Sequence, residues 1–117
     1  MKLLIAGSRS IKKFDIEPYI PENVDTIITG GASGIDYIAE AYADKKRISK
    51  LVMRPEYNKY KKAAPLIRNN QMIELADEIL VIWDGVSSGT KYTIEKAQKI
   101  NKKIIIVNKH NKNQPER

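Results

Sequence analysis

Cysteine is absent from this 117-residue chain, and histidine occurs once, at His110. The lack of cysteine excludes disulfides and thiolate metal sites and fits a reducing cytoplasm, and one histidine cannot build a site of several imidazoles. No apolar run approaches the ~20 residues of a membrane span. The apolar run at 3–7 is shorter than the ~7–15 residues of a signal-peptide core, so it predicts a strand. We therefore expect a cytoplasmic protein with no metal, no cofactor and no membrane partner.

Positive charge is what the chain has in excess. It carries 21 Lys and Arg residues against 14 Asp and Glu, a net charge of +7, with 42% hydrophobic residues. The composition is typical of a globular protein, and the length fits one domain. The charge favours acidic partners such as nucleotides or nucleic acid. Most basic residues fall at expected helix ends and in the tail, where a solvated surface explains them, so nucleic acid is the less favoured partner.

Five short apolar runs rich in Ile, Leu and Val recur along the chain, at 2–7, 24–30, 50–53, 78–84 and 103–108. Runs without polar alternation are typical of parallel strands covered on both faces. Between them, apolar residues recur with helical spacing, and Pro65 stands where a helix can begin. The stripes are Ile35, Ile38, Ala39, Tyr42 and Ala43, then Leu66, Met72, Leu75 and Ala76, then Thr93, Ala97 and Ile100. The first connection, 11–23, is expected to hold one short helix ending near Pro21.

This alternation of strands and helices predicts an α/β fold, because consecutive parallel strands need right-handed helical crossovers. We expect a Rossmann-like three-layer sandwich around a five-stranded parallel sheet, with strand order 3-2-1-4-5 by analogy with dinucleotide-binding folds. One domain is expected over residues 1–108, followed by a polar C-terminal tail over 109–117.

Unusual residues follow the strands at their carboxyl ends. In open α/β sheets, ligands bind beyond these ends at the point where strand order reverses, which here lies between the first and fourth strands. The loops after strands one, two and four are therefore expected to surround one crevice. No catalytic and no metal-binding residue is assigned. The candidate nucleotide-binding residues are Gly7, Ser8, Arg9, Gly30, Gly31, Ala32, Gly34, Asp36, Arg54, Arg68, Trp83, Asp84, Gly85, Ser87, Ser88, Gly89, Thr90 and Thr93.

Two glycine-rich loops stand out among these residues. The first, "GGASG" at 30–34, leaves backbone N–H groups uncovered before a helix N-terminus, which suits a phosphate. It is neither a GxGxxG fingerprint nor a P-loop, and glycines used only for a tight turn are the alternative. The second, "DGVSSGTKYT" at 84–93, offers hydroxyls and a second helix N-terminus, and an ordinary N-cap is its alternative.

Three arginines and the aromatic residues near them add further candidates. Arg9, Arg54 and Arg68 suit phosphate or carboxylate groups, with surface positions or internal ion pairs as the alternative. Trp83 ends a core strand and suits either base stacking or the core. The connection "RPEYNKYKKAAP", at 54–65, combines tyrosines with basic residues, which suits a binding loop or lid; a solvated loop is the alternative.

The assembled pattern is similar to a known superfamily. The stretches "LLIAGSR", "ITGGASGID", "RPE" and "PLIRNNQMIELADEILVIWDGVSSGTKYTIEKA" resemble SLOG domains, which are Rossmann-like, and in particular the short single-domain YspA-like members. The resemblance runs from about Met1 to Val107. The superfamily includes cytokinin-activating phosphoribohydrolases, the DNA-uptake family DprA/Smf, and sensor domains for NAD-derived nucleotides in bacterial defence. It implies a nucleotide-type ligand across Gly30–Asp36 and Gly85–Thr93.

The resemblance also bears on catalysis. The phosphoribohydrolases use an arginine on the helix before strand four, which Arg68 matches, and a glutamate soon after the Gly-Thr pair. No glutamate matches, because Tyr92 and Thr93 follow that pair and Glu95 lies more than one further helical turn along. Without a carboxylate over the ribose, oxocarbenium-like charge lacks an obvious stabiliser. Asp36 and Asp84 stay open as substitutes.

Three functions are therefore carried forward. The leading one is a non-enzymatic domain that binds a nucleotide or an ADP-ribose-like, NAD-derived molecule, as a sensor or as a sequestering, sponge-like protein of the kind that phages use against defence systems. The second is a phosphoribohydrolase-type N-glycosidase acting on nucleoside monophosphates. The third is a DNA-binding protein akin to DprA/Smf. Related domains often assemble, so a homo-oligomer is also expected.

Overall fold

A five-stranded parallel sheet forms the centre of the molecule. The structure, a computed structural model, describes residues 1–109 of the chain, so the tail expected at 109–117 lies almost entirely outside the described residues. The strands are β1 (Lys2–Gly7), β2 (Thr26–Thr29), β3 (Ser49–Val52), β4 (Glu78–Trp83) and β5 (Lys103–Asn108). All neighbouring pairs are parallel, and the spatial order is β3-β2-β1-β4-β5. The predicted Rossmann-like fold and strand order 3-2-1-4-5 are confirmed.

Three twelve-residue helices and one short helix connect the strands: α1 (Ile35–Lys46), α2 (Tyr57–Tyr60), α3 (Ala64–Leu75) and α4 (Ser88–Lys99). Pro65 stands in the first turn of α3, as predicted, where its missing N–H costs no hydrogen bond. The first connection holds one short helix that ends near Pro21, as expected. It is a three-residue 3₁₀ helix, Glu17–Tyr19, with Pro18 in its first turn and Pro21 just after it.

The connection after β3, predicted as a binding loop or a solvated loop, is partly helical. It folds into α2 and a 3₁₀ turn, Lys61–Ala63, which run directly into α3. Tyr57 is thereby fixed at the start of a helical segment instead of lying in an extended chain.

The two faces of the sheet carry separate apolar cores. Leu3 and Ile5 of β1 pack with α1 and with Ile16 of the first connection, whereas Leu4 packs on the opposite face with Met72 and Ile73 of α3. Coverage of both faces, which the apolar runs predict, therefore holds for the central strands. It fails at the edges, where Leu51 of β3 is 39% exposed and Ile105 of β5 is 40% exposed. No helix of the described part is both long enough and apolar enough for a membrane span.

Close backbone contact joins the first two loops beside the sheet. Gly34, which precedes α1, has φ +74, and a Cβ there would lie 2.5 Å from the carbonyl oxygen of Ser8. Gly7 is similarly enclosed, since a Cβ would meet the carbonyl oxygen of Ile82 and the side chain of Ile35. These two glycines therefore let the end of β1 and the start of α1 approach one another, and the space that a side chain would take at either position is filled by the protein.

Gly34→Ala is expected to lower the free energy of unfolding by more than about 2 kcal/mol, because it adds steric overlap to a backbone conformation that disfavours side chains. Gly85→Ala is the matched control, since Gly85 also has positive φ (+88) but has no atom within 4 Å of an added Cβ. It should cost only about 1 kcal/mol of backbone strain. Urea denaturation measures both. Equal losses would contradict the assigned contact between the loops.

Candidate functional site

A cleft of about 540 Å³ opens at the carboxyl ends of β1 and β4, where the strand order reverses. The loops after β1, β2 and β4 form one side of it, and α3 closes the other. Pocket size and position both match the usual small-molecule site of an open α/β sheet. The cleft brings together most of the predicted residues: Gly7, Arg9, Ala32, Asp36, Arg68, Asp84, Ser87, Ser88, Gly89, Thr90 and Thr93.

A second pocket of about 400 Å³ adjoins the cleft beside the end of β3. It contains the remaining residues of the first glycine loop, Gly30 and Gly31, together with Arg54. Arg9, Ala32 and Arg68 line both pockets, so the two spaces meet at these residues.

Four predicted site residues lie outside both pockets, namely Ser8, Gly34, Trp83 and Gly85. Ser8 is fully buried, and its hydroxyl accepts the Asp84 N–H at 2.9 Å. Trp83 is partly buried against the core cluster that contains Met72 and Ile94, and its indole N–H donates to the Ser87 carbonyl at 3.1 Å. Both side chains therefore hold the loop after β4 through hydrogen bonds.

Asp84 fastens this loop to the loop after β1. Its carboxylate accepts the N–H groups of Val86 and Ser87, both at 2.9 Å, and the hydroxyl of Ser10 at 2.9 Å. The Ser87 hydroxyl donates to the same carboxylate. Desolvation acts to raise the pKa of Asp84, but these hydrogen bonds outweigh it and hold the pKa far below its usual value. Asp84 thus lines the cleft while its oxygens are already engaged.

Part of the first glycine loop differs from the expectation of uncovered N–H groups. The Gly31 N–H donates to the Thr29 hydroxyl at 3.3 Å, and the Ala32 N–H donates to Asp36 at 3.1 Å. The Ile35 N–H donates to the Ser8 carbonyl at 3.3 Å. These three N–H groups are therefore occupied within the protein, and the Asp36 carboxylate takes a place at this helix start that an anionic ligand was expected to take.

The glycines of this loop instead make room for arginines. A Cβ at Gly30 would lie 2.7 Å from Nη1 of Arg68, and a Cβ at Gly31 would meet the guanidinium of Arg54. Nη1 of Arg68 donates to the carbonyls of Gly30 at 2.6 Å and Met53 at 3.0 Å, and Nη1 of Arg54 donates to the Gly31 carbonyl at 2.8 Å. The loop after β2 is thus fixed by two guanidinium groups.

Arg68 is a buried charge, with 7% of its surface exposed. Burial lowers its pKa, and the positive charge of Arg9 lowers it further, although Asp36 opposes both effects. Asp36 is buried too, and desolvation raises its pKa despite the Ala32 hydrogen bond and the two arginines. No ion pair within 4.0 Å joins Asp36 to an arginine of the described chain.

The start of α4 provides a run of N–H groups without internal acceptors among the described residues. The side chain of its N-cap, Ser87, makes no capping hydrogen bond, because its hydroxyl is bonded to Asp84. The backbone N–H groups of Ser88, Gly89 and Thr90 donate to no acceptor within residues 1–109. These three residues line the cleft, so unsatisfied donors and the positive end of a helix dipole face it.

The side of α4 that lines the cleft carries no carboxylate. Its residues there are Ser88, Gly89, Thr90 and Thr93, and the Thr93 hydroxyl donates to the Gly89 carbonyl at 3.2 Å. Tyr92 instead bonds to Asn70 of α3 through its hydroxyl at 2.8 Å. The carboxylates that do line the cleft are Asp36 and Asp84, whose contacts are described above.

Sequence reasoning missed two polar residues of the cleft, Ser10 and Asn69. Asn69 accepts the Nε–H of Arg68 at 2.8 Å and so orients the guanidinium. Its position directly after Arg68 was the available signal, but adjacent helical residues normally point in different directions.

No family model, curated protein or solved structure matches this chain. Within residues 1–109, no cluster of three or more His, Cys, Asp or Glu residues could hold a metal ion. The class of the protein is therefore defined by its fold and its cleft. It is a Rossmann-like α/β domain, and its cleft, at the point where the strand order reverses, is lined by arginines and a helix N-terminus.

Asp84→Asn and Asp36→Asn are expected to change the pH dependence of stability in opposite ways. The lowered pKa of Asp84 means that its ionised form stabilises the native state. Its contribution is complete above the unfolded-state pKa of about 4 and is lost as pH falls below it. The stability advantage of wild type over Asp84→Asn should therefore shrink below about pH 4.

Asp36 is expected to affect the pH dependence of stability in the opposite direction, because its raised pKa means that ionisation opposes folding. The stability of wild type relative to Asp36→Asn should therefore fall as pH rises above about 4, through the raised pKa. Urea denaturation of the three proteins from pH 3 to 8 measures both differences. Parallel pH profiles for all three would refute the assigned environments.

Proposed function

We propose that the cleft binds a nucleotide or an ADP-ribose-like, NAD-derived small molecule through its phosphate groups, and that the protein senses or sequesters this molecule. The convergence of Arg9, Arg68 and the start of α4 on one cleft is the observation that carries the proposal. On this proposal the chain is a SLOG domain of the short YspA-like type. A cytoplasmic homo-oligomer is part of the same proposal.

The donors in the cleft favour an anion over a neutral ligand. Three consecutive N–H groups at a helix start, at Ser88, Gly89 and Thr90, are the arrangement that holds phosphates in many nucleotide sites. A guanidinium on the facing helix, from Arg68, adds charge-assisted hydrogen bonds. Because Arg68 is buried, its attraction for a phosphate is less screened by solvent than that of a surface charge.

Binding without hydrolysis is favoured by the state of the two cleft carboxylates. Asp84 is held by hydrogen bonds from its own loop, and Asp36 accepts from Ala32 in a buried position. Neither stands on α4 where the phosphoribohydrolase glutamate would be, and Thr93 on that helix is neutral. A developing positive charge on a ribose would therefore lack a mobile carboxylate to stabilise it.

Gly89→Leu is expected to weaken the binding of AMP and of ADP-ribose at least about tenfold while the fold is retained. An added Cβ at Gly89 has no atom within 4 Å and would extend into the cleft from the first turn of α4. Leucine also has a higher helix propensity than glycine, so the stability should not fall. Isothermal titration calorimetry measures the affinity, and urea denaturation checks the stability.

Ala41→Leu is the matched control, because Ala41 is exposed within α1 and lines neither pocket. It should bind like wild type. Unchanged affinity in Gly89→Leu would place the ligand elsewhere.

Chromatography of the ligand recovered after incubation with the protein separates the candidate functions. Recovery of intact nucleotide supports sequestration or sensing. Release of free base by wild type, with no release by Arg68→Ala, would establish a phosphoribohydrolase. Duplex-DNA affinity that falls steeply with salt and ignores Gly89→Leu would favour the DprA-like alternative.

A further inference from the structure

The second pocket has a strongly uneven charge. Arg9, Arg54 and Arg68 all line it, and no carboxylate of residues 1–109 does. None of the three has a carboxylate oxygen within 4.0 Å in that same part of the chain. Like charges repel, and for Arg68 this repulsion is partly offset by Asp36, which lines the adjoining cleft. Arg68 is buried, whereas Arg9 and Arg54 are exposed. The positive potential that the three arginines share in this pocket favours an anion of more than one negative charge.

Arg68 is held so that one end of its guanidinium stays available. Its Nε and Nη1 donate to Asn69, Gly30 and Met53. Its Nη2 donates to no acceptor that the structure describes, and no described side-chain nitrogen is both buried and without a partner. Nη2 therefore reaches solvent in the pockets that Arg68 lines. An arginine fixed on one side and open on the other is preorganised to bind an anion at little entropic cost.

The meeting point of the two pockets is where such an anion would lie. Arg9 and Arg68 belong to both pockets, which measure about 540 and 400 Å³. A lone phosphate would leave most of this space empty. A ligand that extends into both pockets would instead place its negatively charged middle between these two arginines.

The chemistry of the two ends differs. The second pocket has the ring of Tyr57, which is 58% exposed, beside Pro55 and Arg54. An exposed aromatic ring next to a guanidinium suits a flat heteroaromatic base. The cleft has the hydroxyl side chains of Ser88 and Thr90 beside unsatisfied backbone N–H groups, which suit a sugar phosphate.

Resting on the function proposed above, we infer that the ligand is a diphosphate-bridged nucleoside that spans both pockets. Its base stacks on Tyr57, its diphosphate lies between Arg9, Arg54 and Arg68, and its second, hydroxylated group enters the cleft at the start of α4. The second pocket is thus a base-binding subsite, and Tyr57 and Arg54 determine specificity for two-ended ligands over sugar phosphates.

The test compares ADP-ribose, which can fill both pockets, with ribose 5-phosphate, which can fill only the cleft. Tyr57→Ala and Arg54→Gln should each weaken ADP-ribose binding about tenfold or more, in line with the loss of one stacked base or one phosphate contact. Both should leave ribose 5-phosphate affinity within about twofold of wild type. Calorimetric titration measures all of these affinities.

Tyr37→Ala is the control for Tyr57→Ala, because Tyr37 is 68% exposed and lies outside both pockets. It should leave both affinities unchanged. Arg54→Gln removes the positive charge and keeps a polar side chain at this exposed position.

The outcomes separate this inference from the proposed function. If Gly89→Leu weakens both ligands but Tyr57→Ala and Arg54→Gln weaken neither, the second pocket is not a subsite and only this inference is overturned. If wild type binds neither ADP-ribose nor ribose 5-phosphate, both proposals are overturned. A selective loss of ADP-ribose affinity in the two second-pocket variants supports both.

Discussion

A buried guanidinium without a carboxylate partner is the constraint on which this site depends. Arg68 lies at 7% exposure in α3, and its charge is balanced by carbonyl and amide oxygens instead of an ion pair. Such balance is incomplete, because a buried cation is stabilised most by a full negative charge. The glycines at 30 and 31, which leave room for Arg68 and Arg54, and the orienting Asn69 all serve this arrangement. The positive charge of Arg68 is therefore offset by neutral oxygens and by the more distant carboxylate of Asp36, without a direct ion pair in the described chain.

The fold explains why this charge lies where a ligand can reach it. Reversal of strand order between β1 and β4 sends the following loops to opposite faces of the sheet and leaves a cleft between them. Asp84 then ties the loop after β4 to the loop after β1 through Ser10. This contact holds the loop from which α4 begins, and both the start of α4 and Arg68 line the cleft. Two sources of positive potential, a helix N-terminus and a guanidinium, thus border the same space.

The sheet and its order could be predicted because apolar runs and right-handed crossovers leave few alternatives, and the convergence of the three loops follows from that topology. The local chemistry could not. The burial of Arg68 could not be predicted from its residue type. Arg68 lies on the buried face of α3 with Ala64 and Met72, whereas Leu66, which was predicted to face inward, is 46% exposed. Polarity assigns arginine outward and leucine inward, but tertiary contacts with the Gly30 and Met53 carbonyls decide otherwise. Likewise, no pattern in "GGASGID" shows that Asp36 and Thr29 occupy the N–H groups of their own loop.

Amide and guanidinium chemical shifts during a titration with inorganic pyrophosphate show directly whether an anion binds between Arg68 and the start of α4. We expect the largest changes at the N–H groups of Ser88, Gly89 and Thr90 and at the Nη2 protons of Arg68, whose other guanidinium nitrogens are bonded within the protein. The internally bonded N–H groups of Gly31 and Ala32 should move less, because their acceptors lie within the protein. Changes spread over the exposed lysines, with none at the start of α4, would contradict the account.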